Sequence, residues 1–410
     1  MTLSEELQWR GFVNQTTYPE LTALDGGPIT FYWGVDPSAD SMTIGNLAAA
    51  MLVKAFIKHG HKPVLLIGGA TGLIGDPDGK AQERDLKTPE EIDRNSQTIV
   101  AQYAQIFQSS DYQVVNNRDW FQDIKYLDFL RDIGKHVPMR QMLGRDFVQS
   151  RLGEQGAGIS YAEFSYVLIQ AYDFLHLYKE AGVTLQLCGA DQWGNSVAGV
   201  DLIRRKTGAE AQVFSTPLVV NKATGKKFGK SEAGAVWLDA AKTSPFQFYQ
   251  FWLNVDDDSV EDYLKIFTEL DQPAVESTMQ EFEHDRGGRA AQKALAYEVT
   301  KLVHGSEQAE RIQRASAVLF GGGDFRALSA EEAAVLKQEL PVVQAGGGLA
   351  AVVVAAGLAA SNSEAMRFIR AGAISVNGQK VDGAAADPFQ AGDNLLKRGK
   401  NNFAVVEKSQ

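Results

Sequence analysis

The segment F-Y-W-G-V-D-P-S-A-D-S-M-T-I-G-N, residues 31–46, constrains this chain's fold more than any other. Ile29 to Val35 is rich in aromatic and β-branched residues and predicts a buried strand. Asp36-Pro37-Ser38-Ala39-Asp40-Ser41 is turn chemistry. From Ile44 to His59 the apolar spacing is helical, with Leu47, Met51, Ala55 and Ile57 toward one side. A strand that turns into a helix leaves free N–H groups and the positive end of a helix dipole in one place, which suits a nucleotide phosphate. Gly45, at the helix start, lets a ligand approach the backbone closely.

Lys62 to Ile67 (K-P-V-L-L-I) reads as a second strand. Residues 29–67 therefore form a βαβ unit with parallel strands and a right-handed crossover. The second strand runs into Gly68-Gly69-Ala70-Thr71-Gly72-Leu73-Ile74-Gly75-Asp76. A glycine-rich run at the carboxyl end of a strand is where open α/β sheets bind ligands. Further on, a helix over Tyr161–Ala181, a strand over Val183–Cys188 and a helix over Asp191–Lys206 bring Gly189 and Asp191 to the same sheet edge. The expected fold class is α/β, with a Rossmann-like parallel sheet first. A helical stretch follows, and a tail with two helices and short strands around 374–376 and 403–406 closes the chain.

Within the Tyr161–Ala181 helix, Phe164, Val167, Leu168, Ala171, Leu175 and Tyr178 form the apolar stripe. Tyr166, Gln170 and Asp173, spaced i, i+4, i+7, share another stripe. A half-exposed polar face would produce the same pattern. Gln186 on the adjacent strand and Asp76 on the glycine-rich loop extend the set, which then suits a small zwitterion with a polar tip. Lys227-Phe228-Gly229-Lys230-Ser231 follows an apparent strand and turn. Two lysines on a glycine-containing loop can set two ammonium groups on a triphosphate, although a solvated turn reads the same way. Lys80 and Arg84 form a third basic set. Phosphoryl chemistry of this kind needs positioned cations more than a nucleophile.

Composition narrows the class. Hydrophobic residues are 44% and charged residues 22%, an ordinary globular balance. No apolar run approaches the roughly 20 residues that span a bilayer. The first ten residues lack a signal-peptide core. The single cysteine, Cys188, excludes an intramolecular disulfide, and neither it nor the six histidines show metal-ligand spacing. His59 and His61 read as solvated cap residues at a helix end. A cytoplasmic location without membrane contact follows as the expectation. Net charge is −11, yet residues 347–410 carry +2, so the tail invites a local polyanion contact.

The block G-V-D-P-S-A-D-S-M-T-I-G-N resembles the first signature of class I aminoacyl-tRNA synthetases, usually His-Ile-Gly-His, and K-F-G-K-S resembles the second, Lys-Met-Ser-Lys-Ser. G-G-A-T-G-L-I-G-D-P, Y-V-L-I-Q-A-Y-D-F and G-A-D-Q-W-G-N, in that order, resemble bacterial tyrosyl-tRNA synthetases specifically. The tail S-N-S-E-A-M-R-F-I-R-A-G-A-I-S-V-N-G-Q-K-V resembles the small RNA-binding domain that ends those enzymes. The resemblance covers nearly the whole chain.

It implies activation of L-tyrosine with ATP, Mg2+ accompanying the nucleotide, and transfer to the 3' end of tRNA(Tyr). It also implies a homodimer, with a contact near Leu130 to Met142. By position, Tyr32 and Asp173 would bind the phenol hydroxyl, and Tyr166, Gln170 and Asp76 the ammonium group. Gln186 would line the pocket, and Gln192 would lie near the carboxylate. Gly189 and Asp191 would hold the ribose, and Gly34, Asp36, Ser38 and Gly45 would complete the ATP site. Lys227 and Lys230 would grip the pyrophosphate in the transition state, assisted by Lys80 and Arg84. Thr43 and Asn46 replace the two signature histidines and would act in their place, and Trp33 takes a usually small position beside the ribose. A synthetase-derived RNA-binding protein with impaired adenylation is the alternative. Retention of Tyr32, Asp173, Lys227 and Lys230 together favours the ligase. The expected domains are 1–243 (catalytic), 244–325 (helical, anticodon side), 326–346 (linker) and 347–410 (RNA-binding).

Overall fold

A computed structural model describes residues 1–77, 85–108, 111–144, 146–153, 156, 158–222, 228, 230–231, 234–320, 323–381 and 387–409. The chain divides into two compact units. One comprises Met1–Thr243 and Val255–Ala291, the other Ser244–Asn254 and Gln292–Gln410.

The first unit is built on a six-stranded sheet. Its strands are β1 (Gln15–Thr16), β2 (Thr30–Val35), β3 (Lys62–Ile67), β4 (Gln113–Asn116), β5 (Leu185–Gly189) and β6 (Gln212–Thr216). The spatial order is β1-β6-β5-β2-β3-β4. Every pairing is parallel except β1 with β6, and helix-containing crossovers connect the parallel strands. The helices of this unit begin with α1 (Leu3–Arg10), α2 (Ile44–Lys58), α3 (Thr71–Ile74), α4 (Pro89–Phe107) and α5 (Arg118–Phe121). They continue with α6 (Tyr126–Asp132), α7 (Met139–Leu143), α8 (Asp146–Leu152), α9 (Tyr161–Ala181) and α10 (Trp193–Thr207).

Strand β2 shows why the sheet is covered on both faces. Successive side chains of a strand point to opposite sides. Phe31 packs on Phe56 of α2, and Trp33 on Tyr103 and Phe107 of α4. Tyr32, between them, packs on Phe174 of α9. The strand is apolar in both directions, so it is buried centrally. Trp33 is 4% exposed in this aromatic core and sits with α4, so the expectation that it lies beside a ribose is corrected. The same alternation that sends Tyr32 toward α9 sends its neighbour to the other face.

The helical stretch after residue 243 is divided between the units. Helix α11 (Pro245–Leu253) belongs to the second, and α12 (Val260–Phe267) to the first. Arg10 explains the latter. Its guanidinium donates to the carbonyls of Lys265, Thr268 and Leu270, satisfying the open end of α12. Glu6, one turn earlier on α1, accepts from Arg10, Lys58 and His59. His61 is buried and accepts from the Ile29 N–H. The two histidines expected as solvated caps are therefore both engaged, because α1 folds over the end of α2.

In the second unit, α11 packs on helix Ser306–Phe320 through Gln250 and Ser316, 2.8 Å apart. The segment expected as a linker holds helix Ala330–Glu339 and strand Val342–Gln344. That strand pairs in parallel with Asn402–Lys408 at the edge of a five-stranded sheet. Helices Leu349–Ala355 and Asn362–Arg370 share an apolar core with the sheet, around Val353, Ile369, Ile374 and Leu396.

Candidate active site

At the carboxyl edge of the parallel strands, hydrogen bonds join five elements. The Tyr166 hydroxyl on α9 donates to Asp36, just past β2, at 2.7 Å. Thr71, opening α3, donates to the other Asp36 oxygen at 2.6 Å. Asn117, after β4, donates to Thr71 and to Asp173 at 3.1 Å each. Trp120 of α5 donates its indole N–H to the second Asp173 oxygen at 2.9 Å, and its ring stacks on His176 at 4.3 Å. Gly68 is needed here, since a Cβ would lie 2.0 Å from an Asp36 oxygen and 2.3 Å from the Thr71 hydroxyl.

Opposite this satisfied network lie buried polar atoms with no hydrogen-bond partner among the described residues. They are the Tyr32 hydroxyl, Gln170 Oε1 and Gln186 Oε1. Tyr32 and Gln186 are register neighbours on β2 and β5. Buried polar groups are almost always paired, so these three atoms, on β2, β5 and α9, are among the buried groups left for a polar ligand to satisfy. Burial pushes the Asp173 carboxyl well above the usual carboxylate range. Asn117 and Trp120 pull it back, and the Asp36 charge adds to the rise. Burial likewise raises the Tyr32 phenol, reinforced by Asp173 and Cys188. It raises Tyr166 too, reinforced by Asp36 and Asp76. Cys188 is buried and its thiol is pushed up to about 12, which fits packing.

Next to this region, Gln192 donates to Asp76 at 2.5 Å and accepts from Asn195 at 3.1 Å. A Cβ on Gly189 would meet Asp191 Oδ1 at 2.7 Å, so a glycine here lets the Asp191 carboxylate pack against the strand end. A cavity lined by Asp36, Ser38, Gly72, Leu73, Gly75 and Lys87 opens at the β2–α2 turn. Gly34 lies on β2 at the sheet edge, and Gly45 is exposed in the first turn of α2. Asn46 Oδ1 accepts from the Thr43 N–H at 3.0 Å and from the Thr43 hydroxyl at 3.1 Å. Phe228, inside the second signature, is 9% exposed and stacks on Tyr263 of α12 at 4.3 Å. Lys230 lies in a short strand, Lys230–Ser231, paired with Gly234–Ala235. Lys227, Lys80 and Arg84 lie outside the described residues.

The model of the family "tRNA synthetases class I (W and Y)" matches residues 24–321. That of the "Tyrosine--tRNA ligase SYY-like C-terminal domain" matches 332–406. A tyrosine–tRNA ligase 2 of Bacillus cereus is 43% identical, over 99% of this chain and 100% of its own length. The tyrosine–tRNA ligase of Staphylococcus carnosus is 44% identical, over 99% of each. The chain belongs to the tyrosine–tRNA ligases of class I. A C-terminally truncated mitochondrial tyrosyl-tRNA synthetase of Aspergillus nidulans superposes with a TM-score of 0.70 at 30% identity, over 78% of this chain and 94% of that one.

Class I tRNA synthetases use ATP as a substrate, and in this synthetase a nucleotide-type edge and a polar cradle lie side by side. The residues missed in sequence are Thr71, Asn117 and Trp120. Thr71 lay within the glycine-rich run, but nothing there marked its hydroxyl as a bridge. Asn117 and Trp120 follow β4, which carries no motif. Only the adjacency of β4 to β3 brings them to Asp173. Among the described residues, no three of His, Cys, Asp and Glu come together as a metal site. No helix among them is long and apolar enough to cross a membrane.

Proposed function

We propose that this ligase activates L-tyrosine as tyrosyl-adenylate and transfers it to tRNA(Tyr). The observation that carries the reading is the Asp173 cradle: a buried carboxylate fixed by two donors and facing an orphaned Tyr32 hydroxyl. A phenol O–H gives the Tyr32 hydroxyl the acceptor it lacks and Asp173 a third donor. It donates to Asp173 and accepts from Tyr32. A phenyl ring would leave the Tyr32 hydroxyl unpaired, at a cost of about 1–3 kcal/mol, and would give Asp173 no donor beyond Asn117 and Trp120. Gln170, Tyr166 and Asp76 take the ammonium end, where the Tyr166 hydroxyl still has lone pairs to offer, while Gln186 lines the pocket. Gln192, bonded to Asp76, reaches the neighbouring carboxylate.

The tyrosine carboxylate attacks the α-phosphorus, the α–β bond breaks and pyrophosphate leaves. Asp36, Ser38, Gly34, Gly45, Gly189 and Asp191 shape the nucleotide side. Lys227 and Lys230, with Lys80 and Arg84, supply the cations for the leaving pyrophosphate. Mg2+ would accompany the triphosphate. The 3'-terminal hydroxyl of the tRNA then attacks the tyrosyl carbonyl and AMP departs.

Domain roles follow the same reading. The first unit is catalytic, the second unit's helices before residue 321 face the anticodon arm, and 347–410 binds RNA. In that last segment Arg367 and Arg398 lie over Phe368, and Lys397 over Phe403, a basic and aromatic surface suited to RNA. Exposed Tyr126, Leu127, Met139, Leu143, Leu152 and Tyr161 concentrate in residues 126–161, and a homodimer contact there would cover them. The protein works in the cytoplasm. ATP–pyrophosphate exchange across the twenty amino acids tests the function. Exchange with tyrosine is expected. A protein that binds tRNA and exchanges with none would be the alternative, an RNA-binding descendant.

A further inference from the structure

We infer that Thr43 serves adenylation through Asn46 and not by touching ATP: it is a positioning residue that locks the Asn46 amide with its NH2 edge turned outward. This rests on the ligase reading. Asn46 Oδ1 accepts two hydrogen bonds, from the Thr43 backbone N–H at 3.0 Å and from the Thr43 hydroxyl at 3.1 Å. A backbone N–H can only donate. The end of the amide facing Thr43 is therefore the oxygen, whichever way the amide is drawn. Both donors converge on one oxygen, which leaves the NH2 at the far corner of the amide plane.

Thr43 is itself held on several sides. Its carbonyl accepts from the N–H groups of Asn46 at 3.0 Å and Leu47 at 3.1 Å. Its neighbours on both sides bond to the 236–238 segment, Ile44 N–H to Val236 at 3.1 Å and Leu238 N–H to Met42 at 2.9 Å. A threonine hydroxyl has one proton. Here that proton is committed to Asn46, so Thr43 offers an anionic ligand only lone pairs, which repel it. The donor the site presents is the Asn46 NH2, on the first turn of α2 beside Gly45. The χ2 torsion of a free asparagine is broad. Locking it supplies donors already oriented for the charge that develops on the phosphate, at no reorganisation cost during reaction. Two neutral residues thus replace two histidines as one unit: Asn46 donates and Thr43 aims it.

A double-mutant cycle on single-turnover tyrosyl-adenylate formation tests the coupling. Thr43→Val and Thr43→Ala are expected to slow the step by roughly 3- to 10-fold, as loss of one neutral hydrogen bond implies. Tyrosine binding should stay unchanged, the melting temperature should fall only by the loss of one helix cap, and Thr43→Ser should keep the wild-type rate. Asn46→Ala should lose more. Adding either Thr43 change to Asn46→Ala should cost nothing further. A Thr43 effect that persists in the Asn46→Ala background would overturn the inference, since Thr43 would then act on ATP itself. So would Thr43→Val and Thr43→Ala rates matching wild type. A wild-type protein without tyrosine-dependent exchange would instead defeat the ligase reading.

Discussion

Replacing Trp120 with phenylalanine removes a single donor from the Asp173 cradle. The indole N–H donates to Asp173 Oδ1 at 2.9 Å, while the ring stacks on His176 with planes 22° apart. Phenylalanine keeps a ring for the stack and deletes the donor. Trp120 is half-buried, so the volume lost is largely refilled by solvent and the fold should hold. A hydrogen bond to a charged group contributes about 1.5–3 kcal/mol, which is roughly 10- to 150-fold in tyrosine affinity. A pH signature comes with it. Burial already raises the Asp173 carboxyl, and Trp120 is one of the two donors that pull it down. Without it the carboxyl titrates at a higher pH. Protonation removes the charge that strengthens the phenol's bond to this carboxyl, so the variant should lose tyrosine affinity earlier than wild type as pH falls. Equilibrium dialysis with tyrosine across a pH series measures both effects, with ATP affinity and melting temperature as controls. Tyrosine affinity equal to wild type at every pH would refute the assignment of Asp173 to the phenol. An equal loss of ATP affinity would do the same, because it would signal a general collapse of the site. Asn117→Ala is the coarser counterpart: it also releases Thr71 and the Ala70 N–H, so both binding and stability should fall.

Other residues give independent checks. Phe228→Ala removes the stack on Tyr263, an aromatic contact of about 0.5–1.5 kcal/mol beyond its buried area. Adenylate formation should slow with tyrosine affinity intact, Phe228→Tyr should restore it, and unchanged single-turnover rates would exclude a role for this stack in placing the second signature. Burial pushes the Glu6 carboxyl up, but His59, Arg10 and Lys58 outweigh it and bring it down to about 2 from 4.5. Its folded-state pKa lies below the unfolded one, so its stabilisation is fully present above pH 4.5 and fades as pH falls toward 2. Glu6→Gln should be less stable at neutral pH, with the gap to wild type closing over that acid window; a constant gap in acid melts would contradict the network. The proposed homodimer predicts that Leu127→Asp, at a side chain 75% exposed in the 126–161 cluster, shifts sedimentation from dimer to monomer. A variant that still sediments as the wild-type dimer would move the interface elsewhere.

Much of the site could be read from residue order. The β2–turn–α2 segment, the glycine-rich run after β3 and the i, i+4, i+7 stripe on α9 are local patterns, and each formed where its spacing predicted. Period-two and period-3.6 alternation fixes which elements form. Hydroxyl, carboxylate and amide chemistry fixes what they can bind. Contacts across the sheet could not be read in this way. Strand order is not chain order: β5 lies beside β2, and β4 beside β3, so residues more than a hundred positions apart meet at one edge. Asn117 and Trp120 carry no motif and reach Asp173 only through that adjacency. Trp33 was settled by the pleat, which sends it to α4 while Tyr32 faces α9. The strand Val342–Gln344 is three residues long, too short to show a period, and exists because Asn402–Lys408 offers it a ladder. Thr43 and Asn46 stood in the sequence as two lost histidines. The tertiary structure made them one group, because the first turn of a helix brings positions i and i+3 within hydrogen-bond reach.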